Sequence, residues 1–191
     1  MDSTSLDSLL ARAGQHDADA LAQLVDCFHA RVYGLLVRMT GSRDLADDLT
    51  QETFLRLVRV IADYEHDGRF EAFLFRIAAN LARDHLRRRQ RRGPGVSLGG
   101  PDGGAGDEVR SPLPGPAERA TQREAGALVA AALERLPPAD REIIALRHYA
   151  ELPFRDIAAL LGVPLGTALA RAHRALQRLR GELADLDERN A

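Results

Sequence analysis

Three carboxylates on one predicted helix have a spacing that could support acid–base chemistry or metal binding. Asp44, Asp48 and Glu52 recur every four residues within a helix predicted for about 43–62, and they therefore share one side. No histidine alternates with them at a coordinating spacing, and no neighbouring apolar stretch would desolvate them. The pattern favours a solvated helix face or a polar docking patch, and a metal-dependent hydrolase is the weaker alternative.

Aromatic and basic side chains come together on the next predicted helix, which starts near Phe70. Phe73, Arg76 and Asn80 lead into a run over 83–92 that holds six arginines and one aspartate. The bases of single-stranded nucleic acid stack on aromatic rings at about 1–3 kcal/mol each, while arginines neutralise the phosphates. An asparagine amide can also pair with a base edge. The helix is therefore predicted to bind unpaired nucleic acid, and the alternative is a solvated charge run.

A helix-turn-helix is predicted near the C-terminal end, where helices at 153–161 and 166–183 are joined by a tight turn containing Gly162. The second helix of such a motif enters the major groove of duplex DNA. A purely structural helix pair has the same pattern, but the cations on the second helix favour DNA. The candidate contacts share one side of that helix, with a histidine beside them: Thr167, Arg171, Arg174, Arg178 and His173.

The elements that carry these groups are all predicted to be helices. Apolar residues recur at i, i+3 and i+4, and no strand-like alternation interrupts them. In the first half, Asp17 or Asp19 can cap a helix that runs to Gly41, ahead of the two helices already described. In the second half, the predicted helices cover 121–136, 139–150, 153–161 and 166–183. The predicted fold class is therefore all-α.

A segment rich in glycine and proline separates the two halves. Residues 93–116 begin Gly-Pro-Gly and end Pro-Leu-Pro-Gly-Pro, with few apolar residues between. Such a segment cannot bury enough surface to offset its ordering entropy. We expect two small helical domains, 1–92 and 121–191, joined by a flexible linker over 93–120, with the helix-turn-helix in the second domain.

Composition excludes several classes of protein. Of the 191 residues, 45% are apolar, which is enough for a core, and the single cysteine excludes a disulfide framework or a multi-cysteine zinc site. Cys27 has apolar neighbours and is predicted to be a small core residue. No apolar run approaches the roughly 18 residues of a membrane span, and the N-terminus lacks the pattern of a signal peptide. We expect a soluble cytoplasmic protein without membrane insertion.

The net charge of −2 hides a segregation of charge along the chain. Residues 1–82 carry a net charge of −5, whereas the ten residues 83–92 carry +5. An acidic surface and a compact basic stripe on one small protein predict two surfaces with different partners.

Three stretches together resemble the bacterial sigma factors of the extracytoplasmic-function (ECF) class. They are DDLTQETFL at 47–55, FEAFLFRIAANLARDHLRR at 70–88 and LPPADRE at 136–142, the last followed by Ile157-Ala158 and by GVPLGT at 162–167. Their order around a Gly/Pro linker is highly specific, and the resemblance covers about 17–92 and 121–183. It implies a transcription initiation factor that is not itself an enzyme and needs no cofactor.

The resemblance also implies partners and site residues for the first domain. The acidic helix would dock on the clamp helices of the β′ subunit of core RNA polymerase through Asp48, Gln51 and Glu52. The loop at 64–69 would capture a base flipped from the −10 element, at a cost of a few kcal/mol in lost stacking. The following helix would face the opened strand. The implied −10 residues are Tyr64, Arg69, Phe73, Arg76, Asn80, Arg83, Arg87 and Arg88.

The second domain would contact the −35 element of promoter DNA as a duplex, through Thr167, Arg171, His173, Arg174 and Arg178. The family usually has Gly-Thr-Val-Lys-Ser-Arg at 166–171, where this chain has Gly-Thr-Ala-Leu-Ala-Arg. Leu169 and Ala170 thus replace a cation and a hydroxyl, and the positions 168 and 172, which are expected to be buried, are both alanine. Phe73 stands where tryptophan is usual. We expect weakened −35 readout, with more reliance on the −10 contacts.

An anti-sigma factor is a further partner that the resemblance implies. The alternative function is a stand-alone helix-turn-helix regulator that binds duplex DNA without polymerase. The acidic face at 44–52 and the aromatic and basic helix argue against this alternative, because a simple regulator needs neither.

Overall fold

The computed structural model describes residues 3–91 and 116–190, which form two compact helical units. Within these residues there is no strand, so the predicted all-α class is confirmed. Each unit packs its own helices around its own core. The predicted linker at 93–120 lies outside the described residues as far as 115, and its last residues belong to a helix.

Unit 1 contains four helices and a short 3₁₀ turn at Ile61–Asp63 within the described residues. The sequence predicted three of these helices and missed the first, which is short and depends on packing for its stability. That first helix buries Leu9, Leu10 and Ala13. The helices are α1 (Ser3–Ala13), α2 (Ala18–Thr40), α3 (Arg43–Val60) and α4 (Phe70–Arg91).

Local capping fixes where α2 and α3 begin and where α2 ends. The Asp17 carboxylate accepts hydrogen bonds from the backbone N–H groups of Asp19 and Ala20, which confirms Asp17 as the N-cap. Gly41 ends α2 with φ 69°, a left-handed conformation that glycine adopts without strain. The Ser42 hydroxyl then accepts from the Leu45 N–H and starts α3. The two helices are therefore joined by a tight corner.

The core of unit 1 is formed by one apolar side of each helix. Its largest fully buried side chains come from α2, α3 and α4: Leu24, Val32, Leu35, Leu36, Leu57, Phe70, Leu74 and Phe75. The Phe28 ring meets the Phe70 ring edge-on at 5.5 Å, which joins α2 to the first turn of α4. This packing leaves the polar side of α3 and one side of α4 at the surface.

Two expectations about α2 need correction. By length and mean hydropathy α2 could span a membrane, contrary to the expectation that no apolar stretch is long enough. A core helix passes the same test, and α2 contributes eight buried residues, among them Val32 and Leu35, to the core of unit 1. Cys27 is exposed rather than buried, because it lies on the outer side of the helix between the buried Leu24 and Phe28.

Unit 2 contains four helices within the described residues: α5 (Pro116–Arg135), α6 (Pro138–His148), α7 (Phe154–Leu161) and α8 (Leu165–Asn190). Gly162 has φ 66° and forms the tight turn between α7 and α8, as the helix-turn-helix pattern predicted. The helix α5 begins five residues earlier than the predicted residue 121, because proline is tolerated at a first helical position and Ala-Glu-Arg-Ala favours helix.

Small side chains bring α8 close to its neighbours. Ala168, Ala172 and Ala175 are buried on its inner side, which confirms the expectation for positions 168 and 172. Beyond these alanines on α8, Arg178 forms an ion pair with Asp140 on α6, in which the guanidinium donates to the carboxylate. Asp140 is only 7% exposed, so it depends on this partner to compensate for lost hydration.

We predict that Arg178→Ala destabilises unit 2 by about 1–3 kcal/mol, because it leaves the Asp140 carboxylate buried without its charged partner. Chemical denaturation followed by circular dichroism measures this change. The control is Arg180→Ala, which removes an exposed arginine from the same helix and should change stability by less than about 0.5 kcal/mol. Equal stability of the two variants would contradict the prediction.

Candidate nucleic-acid interface

An aromatic cluster forms where the loop after the 3₁₀ turn meets the start of α4. We define it as Tyr64, Phe73 and Arg76. The Tyr64 and Phe73 rings are stacked, with centroids 4.7 Å apart and an angle of 28° between their planes. The Arg76 guanidinium lies 5.7 Å from the Phe73 centroid. Two rings and a cation at the surface make a platform on which an unpaired base can stack.

The loop at 64–69 is shaped by its own residues. The Asp67 carboxylate accepts a hydrogen bond from the Arg69 N–H at 3.1 Å, and Gly68 has φ 78°. Beneath the loop, the buried Phe70 ring contacts Tyr64 edge-on at 5.7 Å. These contacts turn the chain into α4 and set Tyr64 beside Phe73, while Arg69 remains exposed at the entrance to the helix.

Burial and charge both act on the Tyr64 hydroxyl. Burial raises the pKa of Tyr64 from its ordinary value of 10.0, and the nearby Asp67 carboxylate raises it further, because each disfavours the phenolate. The Arg76 guanidinium opposes this by lowering the pKa. The hydroxyl is therefore neutral at physiological pH and can both donate and accept a hydrogen bond.

The exposed side of α4 continues from the aromatic cluster as a polar and basic stripe. Its residues lie at i, i+3 and i+4 spacing over about 21 Å of helix: Phe73, Arg76, Asn80, Arg83 and Arg87. Arg83 Nη1 donates to Asn80 Oδ1 at 2.8 Å, which holds these two side chains together. Arg88 is exposed in the last turns of the helix. Of the three phenylalanines on α4, only Phe73 is accessible, since Phe70 and Phe75 are fully buried.

The acidic side of α3 presents a second surface. Asp48 and Gln51 are exposed, and the Glu52 carboxylate accepts from Arg56 Nε at 2.7 Å. Sequence reasoning missed Leu55, which is 53% exposed on the same side. The sequence does contain a signal for Leu55: it lies seven positions after Asp48 and four after Gln51, on the side of the helix where the amphipathic pattern predicts a polar residue. We call Asp48, Gln51, Glu52 and Leu55 the docking face.

The metal alternative gains no support from this geometry. Among the described residues, no group of three or more His, Cys, Asp or Glu side chains is arranged to hold a metal ion. Asp44 and Asp48 instead line the exposed side of α3, where water solvates them.

The predicted −35 residues on α8 do not form one exposed group. Thr167, His173 and Arg174 are exposed and Arg171 is half-buried, while Arg178 is bonded to Asp140. His173 Nε2 lies 3.0 Å from the Gln177 amide nitrogen. Two leucines, Leu165 and Leu169, are 47% and 45% exposed at the start of the helix.

Family models match both units. The model described as Sigma-70 region 2 matches residues 24–92, and the model described as Sigma-70, region 4 matches residues 127–179. Relatives with similar sequences extend over most of the chain. The ECF RNA polymerase sigma factor SigW of Bacillus subtilis is 31% identical over 89% of this chain and 92% of its own length. The RNA polymerase sigma factor CarQ of Myxococcus xanthus is 35% identical over 88% of this chain and 92% of its own length.

Similarity to a longer relative covers only part of that protein. The ECF RNA polymerase sigma factor SigE of Mycolicibacterium smegmatis is 40% identical over 81% of this chain, but the match spans 58% of the relative's length.

Solved structures share the fold at lower sequence identity. A complex of CnrH with the cytosolic domain of CnrY contains a chain that is 23% identical, with a TM-score of 0.62, over 96% of this chain and 97% of that one. The sigma factor RpoE of Bartonella quintana, in complex with the anti-sigma factor NepR, is 22% identical, with a TM-score of 0.67, over 85% of this chain and 96% of that one.

The raised pKa of Tyr64 predicts an alkaline limit to its contribution to stability. The folded state holds the phenolic proton of Tyr64 more tightly than the unfolded state does. The stabilisation that results is therefore complete at pH values below the ordinary tyrosine pKa of 10.0, and it is lost as the pH rises through the raised pKa of the folded state. We expect Tyr64→Phe to flatten this alkaline loss of stability.

Phenolate absorbance measures the same titration directly. Asp67→Asn should lower the pKa of Tyr64 towards its ordinary value, and Arg76→Met should raise it further, because the two charges act in opposite directions. Shifts of the same sign in both variants would show that the local charges do not act on Tyr64 in this way.

Proposed function

The chain belongs to the ECF class of RNA polymerase sigma factors, and we propose how its surfaces divide the work of starting transcription at a promoter. It acts as a transcription initiation factor that directs core RNA polymerase to promoter DNA, while polymerase performs the chemistry. One observation carries the assignment of surfaces: unit 1 presents an acidic docking face on α3 and an aromatic and basic stripe on α4. These surfaces suit a protein partner and opened DNA respectively.

The docking face is proposed to bind the clamp helices of the β′ subunit of core RNA polymerase. Asp48 and Gln51 supply exposed polar groups, and Glu52 is available to exchange Arg56 for a cation of the partner. Leu55 adds an exposed apolar side chain that would be removed from water on docking. At about 25 cal/mol per Å² of apolar surface, this burial would add affinity to the charge attraction of the carboxylates.

The aromatic cluster is proposed to receive a base flipped from the −10 element. Flipping costs a few kcal/mol of stacking, which a new stacking platform must restore. Phe73 is a smaller ring than the tryptophan usual in the family, and the Tyr64 ring stacked on it extends the aromatic surface. The loop and stripe residues that would hold the displaced strand are Arg69, Arg76, Asn80, Arg83, Arg87 and Arg88.

The helix α8 is proposed to contact the −35 element with weakened readout. Thr167, His173 and Arg174 are accessible for this contact, and Arg171 is partly accessible. Arg178 is proposed to contribute mainly through its bond to Asp140, which holds α8 on α6. With Leu169 exposed where a lysine is usual, one phosphate contact is missing, so binding should be weaker for all sequences.

An anti-sigma factor is proposed as a regulatory partner. The sigma factor RpoE, which shares this fold, was captured with the anti-sigma factor NepR, and CnrH was captured with the cytosolic domain of CnrY. Because it acts on polymerase and promoter DNA, we propose that this chain works in the cytoplasm without membrane insertion. It needs no cofactor and has no enzymatic activity of its own in this proposal.

Run-off transcription tests the proposal as a whole. Core polymerase supplied with the purified protein should initiate on promoters selected from a randomised duplex library, and pre-opened templates should be preferred to closed ones. A stand-alone helix-turn-helix regulator would bind duplex DNA but would not co-purify with core polymerase. Failure to bind core polymerase in the absence of DNA would reject the sigma-factor assignment in favour of that alternative.

We predict that Asp48→Arg abolishes or severely weakens binding to core polymerase, because it puts a cation in place of an exposed carboxylate of the docking face. Gel filtration or biolayer interferometry with core polymerase measures the loss. The matched control is Asp26→Arg, an equal charge reversal at an exposed position on α2. If the two variants bind core polymerase equally well, α3 is not the docking helix.

We predict that Leu169→Lys strengthens binding to −35 duplex DNA and steepens the dependence of log K on log salt by about one unit, because it restores a phosphate contact. Fluorescence anisotropy over a salt series measures both quantities. Ala184→Lys adds the same charge at an exposed position near the other end of α8 and should leave the slope almost unchanged. An unchanged slope for Leu169→Lys would place this turn of α8 away from the DNA backbone.

A further inference from the structure

We infer that Asp7 and His66 are positioning residues that hold the Tyr64 ring in place for base capture. Asp7 on α1 contacts His66 in the loop, with Oδ1 and Nε2 2.9 Å apart. The Tyr64 hydroxyl lies 3.4 Å from the other ring nitrogen of His66, Nδ1. The Tyr64 ring in turn stacks on Phe73. The inference rests on the proposed role of the aromatic cluster at the −10 element.

The chemistry of the three side chains gives the hydrogen bonds a direction. An ionised aspartate only accepts, so the Nε2–H of His66 donates to Asp7. In the neutral ring Nδ1 then accepts, and the Tyr64 hydroxyl donates to it. A phenolic hydroxyl is protonated at physiological pH and so carries the proton that this bond needs. A continuous set of contacts therefore runs from α1 to the stacking platform.

The helix α1 is firmly attached to the body of unit 1. Leu9, Leu10 and Ala13 are buried against it. Just beyond the helix, Gly14 packs closely on the 3₁₀ turn, where a Cβ at this position would lie 3.6 Å from the Ile61 carbonyl oxygen. This turn leads directly into Tyr64, so the end of α1 is held against the turn that precedes the loop at 64–69, and Asp7 on α1 contacts the middle of that loop.

These contacts matter because the loop itself is mostly solvent-exposed. Glu65, Asp67, Gly68 and Arg69 all lie at the surface, so few buried side chains hold this stretch of backbone. A loop that is ordered only when the base arrives must lose its conformational freedom at the expense of binding. Fixing Tyr64 beforehand preorganises the platform and reduces that cost. The Sigma-70 region 2 match begins at residue 24, so α1 and Asp7 lie outside the part of the chain that it covers.

The test compares Asp7→Ala, His66→Ala and the double variant, each assembled with core polymerase. The probe is a single-stranded −10 oligonucleotide from a promoter selected by the wild-type holoenzyme, with 2-aminopurine at the captured base. We expect about threefold weaker binding and reduced quenching for each single variant, since a hydrogen bond between side chains commonly carries an effect of this order. The double variant should be no weaker than the singles, because both changes break the same set of contacts.

Two further comparisons separate positioning from other effects. With an abasic site in place of the captured base, no variant should bind more weakly than the wild type, because no base remains to be stacked. Asp7→Asn keeps an acceptor oxygen for His66 and should restore most of the affinity. His66→Ala leaves α1 unaltered, so a loss shared with Asp7→Ala does not come from loosening that helix.

The direction of the change in affinity distinguishes an electrostatic effect from a loss of positioning. Removing an acidic residue near DNA should strengthen binding through the phosphates, whereas loss of positioning weakens it. Asp19→Ala removes an equal charge from the exposed first turn of α2 and should leave base capture unchanged. The inference is overturned if Asp7→Ala and His66→Ala capture the base as well as the wild type, if their effects add, or if the losses persist on the abasic probe. A wild-type holoenzyme that ignores the probe altogether would instead overturn the proposed function.

Discussion

The packing of α4 against α2 and α3 is the constraint on which the function of unit 1 depends. Phe70 and Phe75 are both fully buried, and Phe73 lies between them in sequence but on the accessible side. Arg31 of α2 strengthens this arrangement by pairing with Glu71 at 2.8 Å and lying 5.0 Å from the centre of the Phe75 ring. Rotating α4 to bury Phe73 would expose Phe70, at an expected cost of about 1.5–3 kcal/mol for that side chain alone. The direction of the exposed stripe is therefore set by the core.

The packing of small side chains likewise determines how the helices of unit 2 fit together. Alanines at 168, 172 and 175 let α8 approach its neighbours closely, but they bury little apolar surface for each residue. Asp140 and Arg178 add a charged contact between α6 and α8, which fixes the helices in one register. An arginine used in this way is not fully available to DNA. The chain has thus placed on α8 both a structural cation and an exposed leucine at positions on or near the side expected to face the promoter.

The sequence was a good guide where one helix side repeats an apolar residue many times. The apolar stripes of α2, α3 and α4 and the candidate cap at Asp17 predicted where these helices lie, because local hydrogen bonds and core burial agree there. The sequence failed where a contact joins distant segments. Neither the Asp7–His66 pair nor the Asp140–Arg178 pair has a local signal, since each joins residues separated by 38 positions or more. The apolar neighbours of Cys27 predicted that it lies in the core. Successive residues of a helix point to different sides, however, so Cys27 is exposed although the next residue, Phe28, is buried.

Charge segregation in unit 1 follows from the same geometry. The helices α3 and α4 pack against each other through apolar sides, so their polar sides are independent and can carry opposite charge. An acidic face on α3 would repel DNA phosphates and so favour a protein surface, whereas a cationic stripe such as that on α4 would attract them. If the two charges were mixed on one face, each would screen the other and neither partner would be selected. Separation by a shared apolar core therefore gives one small unit two surfaces of opposite charge, each on its own helix.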